Sequence, residues 1–144
     1  MMIPIQRAVE RGFLVGGTAE VHYNNAVKSS IVYWGGTLAE ADAYLAQPSV
    51  AYATAFSGWK QKIGTQAWLA YWLGGNTLWN SYRRLDYPRL FAPLDYLQEI
   101  NKVPVRLFYP SSEQTLNAAN YQAASAKIGG DSPLTRIFFD KVIN

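Results

Sequence analysis

The side chains available for chemistry are few. His22 is the single histidine in 144 residues, which rules out a multi-histidine metal site and leaves one candidate for acid–base work near neutrality. Its neighbours are polar, so it reads as a surface or half-buried polar residue rather than a ligand. There is no cysteine, hence no disulfide, thiolate metal ligand or cysteine nucleophile. The carboxylates Asp86, Asp95, Glu99, Glu113, Asp131 and Asp140 are the material for a glycosidase-type acid pair, but nothing in their spacing singles out two of them. No phosphate-loop, dinucleotide, zincin or nucleophile-elbow pattern occurs, and no cofactor or metal is expected. The sequence does carry flat aromatic surface, with 5 Trp, 10 Tyr and 6 Phe. Such rings stack on sugars and bases. Tyr52 and Trp59 are the candidate ligand-stacking residues. They lie in or beside residues 48–58, a stretch without helical period, and loop aromatics are better placed to bind than those on a buried helix face. Packing of that loop onto the core is the plainer role for both.

The element that must position them is residues 59–84, which the periodicity predicts to be one long central helix. Trp68, Trp72, Gly75, Trp79 and Tyr82 fall on one stripe at spacings of 4, 3, 4 and 3. Ile63, Ala67, Ala70, Tyr71, Gly74 and Leu78 widen it to an apolar arc of roughly 200°. So wide an arc predicts a buried helix with neighbours on two sides and a tryptophan stripe in the core. Gly74-Gly75 fits that helix if another backbone approaches there or the helix kinks.

The rest reads as further helices. A short one is expected over residues 2–13. Thr18 caps a helix over 19–33, which Gly35-Gly36 breaks. Thr37 and Glu40 form a capping box for a helix running to about Ala46. After Arg84 the chain turns irregular, with Pro88, Pro93, Pro104 and Pro110, allowing a helical turn near 94–100 and an extended piece at 105–108. Arg83, Arg84 and Arg106 are placed to tie this segment down. Ser111 or Ser112 caps a helix over 113–127, and Ile137, Phe138 and Phe139 are expected to dock on the body. The fold class is all-α, a single domain over 1–144 with a loop-rich C-terminal segment. Divergent helical repeats at 2–34 and 37–84 are compatible with it. The net charge of +3, from 13 basic and 10 acidic residues, is mild and scattered, which argues against nucleic acid. No apolar stretch reaches membrane-spanning length, and the opening residues do not read as a signal peptide.

An ordered set of motifs adds to this. Residues 63–68 (IGTQAW), Trp79, residues 83–88 (RRLDYP), residues 103–107 (VPVRL) and residues 109–113 (YPSSE) come first. Asn117, Asn120-Tyr121, Gly129-Gly130-Asp131 and Phe139-Asp140-Lys141 follow. The set resembles the signature of SusD/RagB-like nutrient-binding outer-membrane lipoproteins. Ala67 departs from the family's usual lysine, and Thr77 and Ser81 from its acidic residues. The resemblance implies TPR-like helix pairs with a loop-rich cap, corresponding to the C-terminal third of a longer protein. It also implies a non-enzymatic glycan or nutrient binder acting with a SusC-like TonB-dependent transporter. Its place is the bacterial outer membrane, where the full-length protein is held by a lipid anchor. No binding residue carries over, and the motifs are expected to hold the fold together. The alternative is a helical-repeat protein-interaction domain without its own small-molecule site. A helical repeat without its neighbour exposes an apolar face, so self-association is expected.

Overall fold

A computed structural model of the chain describes residues 8–13, 15–91, 102–138 and 140. The chain is all-α, and no strand occurs among the described residues. Where a single domain was expected, the chain divides into two compact units, Met1–Pro88 and Arg89–Asn144. The first holds α1 (Ala19–Tyr33), α2 (Leu38–Leu45), α3 (Trp59–Ala70) and α4 (Asn76–Leu85). The second holds α5 (Ser111–Leu116) and α6 (Ala118–Lys127). Residues 8–10 are also helical. The remainder of the predicted N-terminal helix and the turn predicted near 94–100 lie outside the described residues.

Local chemistry sets the starts of α1 and α2. The Thr18 hydroxyl accepts the Val21 N–H at 3.2 Å. At α2, Thr37 Oγ1 accepts the Glu40 N–H at 3.2 Å while Glu40 Oε2 accepts the Thr37 N–H at 2.8 Å, closing the capping box. Each such cap is worth about 1 kcal/mol. The two helices pack as a pair, and α1 also packs on α3. Tyr23 and Val27 of α1 and Ala41 of α2 are buried. The Tyr23 hydroxyl donates to the Val50 carbonyl at 2.6 Å, pinning the connection that follows α2. Burial pushes that hydroxyl's pKa up to about 12, with Tyr44 adding to the shift.

The predicted long helix is instead two helices, α3 and α4, joined by a tight turn over residues 71–75. In one continuous helix, Trp68 and Tyr82 would lie about 21 Å apart along the axis. Their ring centroids are 5.9 Å apart, edge to face, so the chain has folded back on itself. The glycine pair is what permits the turn. Gly75 has φ 50° and ψ −118°, a conformation a side chain would strain. Leu73 is also left-handed, at φ 64°. The break ends the tryptophan stripe. Trp68 and Trp79 are half-buried, but Trp72 is 60% exposed. The core runs instead through Ile63, Ala67 and Leu85, with Ala26, Trp59, Ala70 and Tyr71 packed around them. Gly64 closes this core. A Cβ there would lie 2.7 Å from Tyr87 Cβ and 3.0 Å from the Tyr87 carbonyl oxygen.

Among the described residues of the second unit, a polar cluster ties the chain together. Arg106 and Asp131 pair at 2.8 Å with side chains 9% and 4% exposed. Asp131 also accepts the Tyr109 N–H at 3.2 Å and the Tyr121 hydroxyl at 3.3 Å. The Arg106 guanidinium lies 4.8 Å from the Tyr109 ring centroid, and Tyr109 meets Tyr121 edge to face. The predicted helix over 113–127 is broken at Asn117, and neither Ser111 nor Ser112 caps it. Ser111 opens α5 after Pro110, which makes no side-chain cap. Asn117 leaves helical geometry at φ −138°, donates to Glu113 Oε2 at 2.9 Å and accepts from Asn120 at 2.7 Å. Side-chain bonds of this kind compete with the helical ladder. Phe138, expected to dock, is exposed; Phe139 lies outside the described residues.

Candidate functional site

Two hollows lie along α1 and α3 in the first unit. One, of about 530 Å³, is floored by Tyr23, Val27, Ile63 and Ala70, with Tyr44 and Gln66 among its polar lining. The other, of about 650 Å³, is lined by Tyr33, Trp34, Tyr71 and Trp72 together with Ser29 and Ser30. Ala26, Ser30, Trp34 and Ala70 belong to both, so the two lie side by side. The helix ends build the aromatic part. Residues 33–36 read YWGG at the end of α1, and residues 71–75 read YWLGG at the end of α3. Each aromatic pair sits where its helix stops and is followed by glycines that turn the chain away. Tyr33 and Trp34 meet edge to face at 5.3 Å, and they are 79% and 49% exposed. Gln66 Nε2 donates to the Tyr44 hydroxyl at 3.1 Å. The Glu40 carboxylate is held below the ordinary carboxylate range by the backbone and hydroxyl donors of Thr37.

The predicted stacking residues sit elsewhere in the same unit. Tyr52 is half-buried. Its ring packs at 5.5 Å from Tyr23, the Lys62 ammonium lies 4.6 Å from its centroid, and its hydroxyl donates to the Glu10 carboxylate. Burial, then Glu10, pushes the Tyr52 hydroxyl's pKa up to about 12. Trp59 opens α3, half-buried against the Ile63–Ala67–Leu85 core, with Lys60 at 5.8 Å from its ring. Tyr33 and Trp34 are not among the predicted stacking residues, and Trp72 was expected in the core. The signal that could have singled them out is the recurrence of an aromatic pair before a glycine pair.

The remaining candidates have structural partners. His22 Nε2 lies 2.7 Å from the Gly16 carbonyl oxygen, a bond in which the ring nitrogen is the donor. It fastens the turn before α1. Asp86 ends α4 in left-handed geometry. Glu113 bonds Asn117, Asp131 takes Arg106, and Asp140 takes Arg136 at 2.7 Å. Asp95 and Glu99 lie outside the described residues. Of the predicted ties of the C-terminal segment, Arg106 makes one. Arg83 lies on the Trp79 ring at 4.1 Å and bonds Asn80. Several motif residues meet one another in space: Gly64 with Tyr87, and Arg106, Tyr109 and Tyr121 with Asp131.

A family model described as starch-binding and associating with the outer membrane, SusD-like_2, matches residues 6–110. A SusD-like protein of known structure, AC2a from Bacteroidetes, is 30% identical and superposes with a TM-score of 0.82, over 98% of this chain and 29% of its own. A chitin-binding SusD homologue from Flavobacterium johnsoniae is 27% identical with a TM-score of 0.75, over 97% of this chain and 35% of its own. A SusD homologue from Bacteroides thetaiotaomicron VPI-5482, 23% identical, shares the fold with a TM-score of 0.80, over 99% of this chain and 37% of its own. The chain thus spans only 29% to 37% of the length of these relatives. No curated protein matches it. The motif set, the helix pairs and the family model agree, and the chain belongs to the SusD-like family.

Proposed function

We propose that the protein captures a glycan at the bacterial outer membrane, passes it to a SusC-like TonB-dependent transporter and does no chemistry on it. Family membership over residues 6–110 is the observation that carries this reading. The chitin-binding relative and the starch-binding family description name the two polymers to try first. Within the chain, Trp59 and Tyr52 remain the stacking residues proposed from the sequence. Both rings are half-buried, Trp59 beneath Lys60 and Tyr52 against Tyr23 and Lys62.

Affinity electrophoresis in gels containing soluble starch or glycol chitin tests the proposal. Retardation in one of them is expected, with no reducing sugar released, and Trp59→Ala and Tyr52→Ala should each lessen it with the far-UV spectrum unchanged. Unaltered mobility of those variants removes the two residues from the site. An interaction domain without a small-molecule site is the second reading, favoured by the apolar floor of the smaller hollow. It predicts no retardation on either polymer.

A further inference from the structure

Two copies of one local pattern converge in the first unit. The aromatic pairs Tyr33-Trp34 and Tyr71-Trp72 are far apart in sequence yet line one hollow. Rings of this size normally dominate core burial. Here Tyr33 and Trp72 keep more than half of their surface in water, and Trp34 keeps 49%. The chemistry around them is neutral. Among the described lining residues of both hollows there is no lysine, arginine or aspartate, and Glu40 is the one carboxylate. Its Oε2 already accepts from the Thr37 backbone and hydroxyl. Hydroxyls from Ser29, Ser30 and Tyr44 and the Gln66 amide supply the other polarity.

Among its described residues, such a groove offers no cation to pair with a phosphate, sulfate or uronate. It does have what an uncharged pyranose chain needs: flat rings for the C–H faces of successive sugars, and neutral donors and acceptors for their hydroxyls. Each hollow is within the range of about 300–1,000 Å³ usual for small-molecule sites, and their shared border at Trp34 suits a ligand that spans both. We infer that the groove along α1 and α3 is a binding subsite for a neutral oligosaccharide, with Trp34 and Trp72 as its stacking faces. This rests on the glycan-binding reading above but places the sugar at a different site from Tyr52 and Trp59.

Isothermal titration of the full chain with maltohexaose and with chitohexaose tests it. One of the two should bind. Trp34→Ala and Trp72→Ala should each weaken it about tenfold, the scale of a stacked anchor, while Trp34→Phe and Trp72→Phe keep most of the affinity. An oligogalacturonate should not bind. If the wild type binds and both alanine variants bind equally well, the groove is not the site, although the glycan-binding reading stands. If those variants alter self-association and leave sugar affinity unchanged, the aromatic groove is a protein-contact face and the inference fails. Tighter binding of the oligogalacturonate would contradict the neutral chemistry, and no binding of either neutral sugar would remove both readings together.

Discussion

Asp131 accepts from an arginine, a backbone N–H and a tyrosine hydroxyl, and its side chain is almost wholly buried. Removing it would leave the Arg106 charge buried without its carboxylate. Breaking a buried pair from one side costs about 3–5 kcal/mol. Asp131→Ala should therefore remove hydrogen-exchange protection around Val105, Arg106 and Tyr109 while α1 and α2 keep theirs. Unchanged protection there would show that the pair does not hold the unit. In the sequence, Asp131 was one of six carboxylates with nothing to distinguish it. Its partner lies 25 residues away, at a separation no local pattern reports. Only the motif resemblance put Arg106 and Asp131 in one set. By contrast, His22 was legible, because a single histidine among polar neighbours leaves a ligand role little support.

Elements were legible where their signals were local. The caps at Thr18 and Thr37 depend on contacts within three residues, and both form as expected. The break between α3 and α4 was not legible, because the apolar period continues through the glycines. The stripe over residues 68–82 was present in sequence but not on one helix. What decides the matter is backbone conformation, and Gly75 records it. If residues 59–84 were a continuous helix, Gly75→Ala would stabilise the protein through helix propensity. In the hairpin it must instead force a side chain into a strained region, at about 1–3 kcal/mol. A lowered thermal midpoint is expected for Gly75→Ala, and a raised one would restore the single rod. Asn117 teaches the same lesson in α5 and α6: a polar side chain bonded to its own neighbours outweighs the weak apolar face of an alanine-rich helix.

At the scale of the whole molecule, the all-α class and the TPR-like pairing followed from helical periodicity, caps and the motif set. The exposed surface did not, since no sequence period says which aromatics a turn will leave outside. Tyr33, Trp34, Trp72 and Leu73 together present an unusually apolar surface. Contiguous apolar patches of this kind favour association. Light scattering should show mass rising with protein concentration, and Trp72→Ser should reduce the rise. A monodisperse monomer over a wide concentration range would count against this.

The central claim is that the scaffold grips a neutral glycan and leaves it intact. The most direct measurement is a calorimetric titration of the wild-type chain with maltohexaose and chitohexaose, followed by chromatography of the recovered sugar. A saturable heat for one hexasaccharide, with that sugar recovered whole, is the predicted result. Flat titrations with both, or shortened oligosaccharides in the recovered material, would contradict it.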